Sequence, residues 1–278
     1  MGNVIKNALW KRRLDGLFHV WNDNKGARSG FHASSLLAHA TVGTSKYCHR
    51  EHVLGTRYER DTPEIDAPLL RIFLAGWTIH EKWQKLALDA GMALYNETEH
   101  LINLDSLSNI SILPGEYRYI TGLGKRYHIE YEPSKIALSF TPDIILEVDG
   151  EQYICEIKGY GHETYEKIAS NPEMNPKYQD ALRQANLYMH LTGIYKAVLI
   201  FEDKNTQNFL AFEVEYDREL VLPYVQRSKD LLRCLKENEI NHRLVKGVCK
   251  DENSGRAKNC PVSDVCFHPE KRFERLLK

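Results

Sequence analysis

The chain has 278 residues, 42% of them hydrophobic and 27% charged, the profile of a folded soluble domain rather than a disordered or fibrous chain. Thirty-seven Lys and Arg stand against 38 Asp and Glu, a net charge of −1. A protein held to nucleic acid by bulk charge would be more basic, so any such contact needs locally clustered cations or bound metal ions. No run of about 18 apolar residues argues for a membrane-spanning helix. MGNVIKNALWKRRLDGLFHVW has neither the apolar centre nor the cleavage site of a signal peptide, and Lys6 does not fit a myristoylation motif. A cytoplasmic location is expected.

Residues 3–22 read as an amphipathic helix, with Ile5, Leu9, Leu14, Leu17 and Val20 roughly on one side. NDNKGARSG breaks it, and FHASSLLAHA opens another helix with Ser34 or Ser35 as its cap. A longer helix follows Pro68, with Leu70, Phe73, Leu74, Trp77, Trp83 and Leu86 at helical spacing. The middle of the chain turns β-rich: RYHIEYE, IALSFTPDIILEV and EQYICEIKGYG show alternation and β-branched residues. NPKYQDALRQANLYMHLTG reads as a helix ending at Gly193. YKAVLIFED is a buried strand with NFLAFEVEYD as its partner, and RELVLPYVQRSKDLLRCLKENEI is mostly helical. From Val245 onward regular periodicity fades. Helices therefore flank a central mixed β-sheet, an α/β arrangement, with no repeat or low-complexity linker to divide the 278 residues into separate domains.

The chemistry gathers around EVDGEQ. Asp149-Gly150 is a strong two-residue hairpin signal, because both turn positions favour positive φ. With those residues as the turn, Val148 faces Glu151, and the pairing carries on until Asp143 falls opposite Glu156, with Cβ atoms about 5 Å apart. Glu156 and Lys158, two apart on one strand, share that face. Like charges set opposite one another are destabilising unless one acid is protonated or a cation lies between them. Lys158 supplies one cation. Mg²⁺ or Mn²⁺, which take carboxylate and water oxygens, would supply a stronger one. Alone, the hairpin is equally a surface turn with a solvated Glu–Lys pair.

The set Pro142-Asp143, Glu156 and Lys158 resembles the PD-(D/E)xK nuclease superfamily in spacing and strand context. The resemblance implies a restriction-endonuclease-like core in which Asp143 and Glu156 hold the catalytic metal and Lys158 positions or deprotonates the attacking water. The metal lowers that water's pKa and stabilises phosphodiester charge. His80, about 60 residues upstream in GWTIHEKWQ, matches the helical histidine of the RecB-like branch, which implies a further metal ligand; Glu81 faces roughly 100° away. The Ile157 carbonyl is implied as another ligand by the same likeness. Imidazole suits Mn²⁺ better than Mg²⁺, so manganese activity is expected. QANLY, Gln184 to Tyr188, is similar to the branch's Q-x-x-x-Y motif, whose i,i+4 pair shares a helix face. It implies that both residues border the site and contact DNA or position Lys158. Tyr160 and Tyr188 are candidates for stacking on bases.

Six cysteines occupy positions 48, 155, 234, 249, 260 and 266. In a cytosolic chain, clustered cysteines suggest metal or redox chemistry more than disulfides. Cys155 and Cys234 read as small core residues. Cys48 with Cys249, Cys260 and Cys266 resembles the iron–sulfur branch of RecB-like exonucleases, found in AddB-type nuclease domains and in CRISPR adaptation. There, four thiolates hold a [4Fe–4S] cluster that joins the two ends of the chain. The usual tail is C-x₂-C-x₅-C; here the second gap fits and the first is ten residues, which leaves His268 as a substitute ligand and Zn²⁺ as the rival metal.

The resemblance spans Cys48 to Cys266. It implies a single RecB-like nuclease domain over 1–278, with 30–66 and 245–278 forming the cluster-binding region around a 67–244 core. It further implies a metal-dependent DNA exonuclease acting on single-stranded or frayed ends, in recombination, repair or CRISPR-type processing. The alternatives are a zinc-stabilised endonuclease and a non-catalytic DNA-binding adaptor of the same fold. No G-x-x-x-x-G-K-[ST] phosphate loop is present, so a helicase or recombination partner would supply any motor. A homo-oligomer is compatible with all three readings.

Overall fold

The computed structural model describes residues 17, 19, 31–32, 48–55, 58, 65–93, 117–120, 126–131, 136–140, 142–224, 227 and 249–273. Its central sheet is built from the hairpin outward. Asp149 and Gly150 take φ of 53° and 81°, the left-handed pair that a tight two-residue turn requires. Strand β5 (Ile144–Val148) then runs antiparallel to β6 (Glu151–Tyr160), in register from Val148↔Glu151 to Ile144↔Cys155, as the turn dictates. Strand β7 (Lys196–Asp203) lies parallel to β6, and β8 (Phe209–Glu215) lies antiparallel to β7. The order β5-β6-β7-β8 makes a mixed four-stranded sheet.

A parallel β6–β7 pair needs a crossover connection. Two helices supply it, α3 (His162–Ser170) and α4 (Pro176–Thr192). The sequence reading assigns no element to 162–170. Its helix starts on Gly161, which has no side chain to cap with, so the usual start signal is missing. The α4 ends are conventional. Asn175 Oδ1 accepts from the Lys177 N–H at 2.9 Å, Pro176 opens the first turn, and Gly193 closes the last at φ 74°.

Helices pack on both faces of this sheet. Helix α2 (Ala67–Asp89) is capped by Asp66, which accepts from the Leu69 N–H at 3.0 Å. Its Ile79, Trp83 and Ala87 pack against Ile144, Cys155, Ile157 and Ile200. On the opposite face, Tyr178 of α4 lies edge-on to Phe212 and tilted against Phe201. No described helix is long and apolar enough to cross a membrane.

A second four-stranded sheet has the order β1-β4-β3-β2, from β1 (Phe31–His32), β2 (Tyr117–Ile120), β3 (Arg126–Tyr131) and β4 (Ile136–Phe140). Phe31–His32 pairs as a strand with β4, ahead of the expected helix, whose Ser34 or Ser35 cap lies outside the described residues. One expectation is corrected here. IALSFTPDIILEV is two strands in two sheets, because Pro142 has no N–H to continue a ladder. Leu17, His19 and 218–224 are helical as expected; the rest of 3–22, and Cys234, lie outside the described residues.

The segments around the cysteines form a separate apolar cluster. Leu54, from α1 (His49–Leu54), and Tyr58 pack with Val262 and with Val265 of α5 (Ser263–Phe267), and Cys260 and Cys266 pack against them. Chain distant in sequence is thus joined by packing. Short 3₁₀ turns at Ala257–Asn259 and Pro269–Phe273 complete the region.

Two predictions follow from this packing. A methyl at Gly159 would run into Ile79 Cδ1 and stand 3.0 Å from Lys204 Cε; Gly159→Ala is expected to cost about 1–3 kcal/mol by overpacking, read as a lower denaturant midpoint. His190, bonded through Nδ1 to Tyr216 Oη at 2.6 Å, is lowered by burial to about 4, against about 6.5 in an unfolded chain. Between those values the unfolded chain binds the extra proton, so this contribution is complete above pH 6.5 and is lost as pH falls toward 4. Thermal melts across that window should fall more steeply for the native chain than for His190→Gln; parallel slopes would count against it.

Candidate active site and cysteine pocket

Asp143 sits one residue before β5, beyond the last pair Ile144↔Cys155, so the register sets it abreast of Glu156. Its carboxylate is a bridge. Oδ2 accepts from the Ile157 N–H at 2.7 Å, and Oδ1 meets His80 Nδ1 at 2.9 Å. In an extended strand a residue's N–H and C=O point to the same side, so the Ile157 carbonyl faces the edge where β5 has ended. Gln84, one turn beyond His80, donates from Nε2 to the Asp143 carbonyl at 2.9 Å. His80 and Gln84 lie four apart on one face of α2, whereas Glu81 is exposed.

Glu156 is 1% exposed. Its Oε1 is bonded to Lys158 Nζ, while its Oε2 is buried with no hydrogen-bond partner. Burial, reinforced by the Asp143 charge and opposed by Lys158, pushes Glu156 up to about 7. Burial works against the Lys158 ammonium, but the Glu156 and Asp143 charges outweigh it and raise its pKa. Burial likewise opposes charge on His80, and the hydrogen bond and charge of Asp143 outweigh it, so the imidazole is raised above its ordinary value. Two acids, an ammonium and an imidazole therefore converge where β6 emerges from the hairpin. On the reverse of β6, Cys155 is fully buried and burial holds its thiol well above the usual range; it is a core residue, as expected.

The motif on α4 is internally satisfied. Gln184 Nε2 donates to Tyr188 Oη at 3.1 Å. Tyr188 is only 3% exposed, so its ring is packed and holds Gln184, and it offers no face for stacking. Tyr160 is stacked on Phe201 at 6.2 Å.

Two acids at the end of β7 escaped the sequence reading. Glu202 is fully buried, and its Oε2 accepts from Trp83 Nε1 at 2.7 Å and Lys82 Nζ at 2.6 Å. Both donors sit within three residues of His80 on α2, so this carboxylate pins the segment that carries the histidine. Asp203, also fully buried, accepts from the Asn205 N–H at 2.9 Å and Thr206 Oγ1 at 2.7 Å, and pairs with His162 Nδ1 at 2.8 Å. It ties the β7–β8 turn to the start of α3. The available signal was a pair of acids closing an otherwise apolar run.

Cys48, Cys249, Cys260 and Cys266 line one pocket together with Arg50, Glu51 and Arg256. None is in a disulfide. Cys48 caps α1, its Sγ accepting from the Glu51 N–H at 3.4 Å. Burial pushes the Cys260 thiol up to about 11 and also raises that of Cys266. His268, the substitute ligand, is engaged by Glu252 at 2.7 Å and Glu270 at 3.3 Å and does not line the pocket.

Among the described residues, no three His, Cys, Asp or Glu side chains stand at metal-holding spacing. The expected ligand sets are each brought to one place but are not drawn together: the acids face Lys158 and His80, and burial works against thiolate at Cys260 and Cys266. The donor chemistry fits a metal in both places. The orphaned Glu156 oxygen beside Asp143 and His80 suits a hard divalent cation, and four thiols suit a thiophilic centre.

No protein-family model matches the chain, and no curated protein matches it. Among solved structures, the chain is similar to LHK-Exo, an alkaline exonuclease from Laribacter hongkongensis, at 14% identity and a TM-score of 0.41, over 75% of this chain and 89% of that one. The same exonuclease in complex with dAMP overlays at 15% identity and a TM-score of 0.43 over the same shares. The protein SSO0001 overlays at 10% identity and a TM-score of 0.42, over 94% of this chain and 98% of that one. These overlaps are loose, and the site stands on its own geometry.

Proposed function

We propose that the protein is a divalent-metal-dependent deoxyribonuclease with a restriction-endonuclease-like core, acting as an exonuclease on single-stranded or frayed DNA ends. The observation that carries this reading is the buried, unpartnered Oε2 of Glu156 beside the Asp143–His80 pair. A carboxylate oxygen sealed from water without a donor is costly, and a cation shared with Asp143 would satisfy it.

Asp143, Glu156 and His80 would hold Mn²⁺ or Mg²⁺, with the Ile157 carbonyl as a further donor. When bound, the ion supplies Lewis acidity and an activated water. The chain supplies the rest. Lys158, kept protonated by the two acids, is placed to orient that water or to neutralise a phosphate oxygen. Asp143 anchors His80 through Oδ1 and the β6 backbone through Oδ2, so metal ligand and strand move together. Glu202 holds α2 in place through Trp83 and Lys82. Gln184, fixed by Tyr188, is the α4 group available to substrate. The four cysteines would bind a [4Fe–4S] cluster, with Zn²⁺ as the rival. Because their pocket joins segments from both sides of the nuclease core, it would brace the frame through which a DNA end passes.

End-labelled linear and circular single strands, incubated with Mn²⁺ or Mg²⁺, test the reading. The linear strand should be degraded and the circle spared. Glu156→Gln and Lys158→Ala should each lower the rate by about 10²–10⁴-fold, with thermal stability kept or raised for Glu156→Gln and lowered for Lys158→Ala, which leaves the buried carboxylate unpaired. Cleavage persisting at the native rate in either variant would sink the site assignment, and cutting of the circle would point to the endonuclease alternative.

A further inference from the structure

The pocket that gathers the four thiols is more positive than its own ion pairs explain. Of the charged residues lining it, Glu51 and Arg256 pair at 3.2 Å and cancel. Arg50 is left over. Its Nη2 donates to the Cys266 carbonyl at 2.8 Å, but its buried Nε has no hydrogen-bond partner. Arg272, which does not itself line the pocket, repeats the pattern beside it. Its Nε donates to the Val265 carbonyl at 2.9 Å, and its buried Nη2 has no partner.

Leaving a cationic donor buried and unmatched costs stability, so one such donor in the pocket wall and a second held on the carbonyl next to Cys266 call for an anionic occupant. Neutral thiols do not provide one. Four thiolates on Zn²⁺ or on an oxidised [4Fe–4S] core leave the centre with a net charge of about −2. We propose that Arg50 and Arg272 are the counter-charges of this tetrathiolate centre, stabilising the metal-loaded protein while weakening the metal-free one. Neither is a metal ligand; both are positioning residues that act through the thiolates. The inference rests on the reading of the cysteine pocket as a metal site, and is independent of the nuclease assignment.

The sign of the effect tests it. The full chain is purified anaerobically, its iron and zinc are measured, and a portion is stripped with chelator. Arg50→Met should lower the melting temperature of the loaded form by about 2–4 °C and hasten metal loss to chelator by roughly tenfold or more. The same substitution should leave the stripped form unchanged or raise its melting temperature. Arg272→Met should shift both forms in the same directions, and Arg50→Lys, which keeps the charge, should recover part of the loaded form's loss. If Arg50→Met and Arg272→Met lower both forms equally, their role is confined to the two carbonyl bonds and the proposal is wrong. If the native chain carries neither iron nor zinc, the metal-site reading fails and the proposal falls with it. Should Arg50→Met not fold, Arg272→Met and Arg50→Lys carry the same comparison.

Discussion

One carboxylate ties the site together. Asp143 takes the His80 imidazole on one oxygen and the Ile157 N–H on the other, joining α2 to the strand that carries Glu156 and Lys158. The bond to Ile157 continues the β5–β6 ladder with a side chain after the backbone pairing has ended. The placement of Asp143 against β6 is therefore set by the hairpin, and the hairpin is set by two residues with positive φ. A shift of one residue in that register would turn Glu156 and Lys158 away from Asp143.

The packing around this bridge explains how a charged constellation survives beside the core. Glu156 and Lys158 occupy one face of β6 while Cys155 and Ile157 fill the other, so the strand buries its apolar residues against α2 without burying its charges unpaired. Gly159 admits Ile79 close to the backbone, which brings α2, and His80 with it, near to the sheet. Glu202 reaches α2 from the end of β7 and fixes the same turn through two donors. The histidine is held by a strand on one side and by a buried acid on the other.

Much of this was legible in the sequence. Asp-Gly between two alternating runs fixed the pairing, and strict period-two geometry carried the register six residues on to Asp143. Spacing also placed Gln184 with Tyr188 on one helix face, whereas the partnership of Gln84 with His80 had no signal in the sequence. What was not legible depended on contacts without a local signal. Helix α3 starts on a glycine with no capping side chain. The division of IALSFTPDIILEV between two sheets turns on a proline that reads equally well as an edge residue. Glu202 looks like a polar strand end until α2 folds over it. Arg50 and Arg272 gain meaning only when segments more than two hundred residues apart meet around the thiols.

That meeting has an entropic consequence. Bringing Leu54 and Tyr58 against Val262 and Val265 closes a loop of about two hundred residues, which costs on the order of 5 kcal/mol as a flexible chain and less once the intervening core has folded. Burying four large apolar side chains returns about 1.5–3 kcal/mol each, enough to offset that closure. The two segments are thus joined by apolar packing among the described residues. An ion entering the pocket would find its ligands already collected, and its binding energy would tighten a frame that exists without it instead of folding one from disorder.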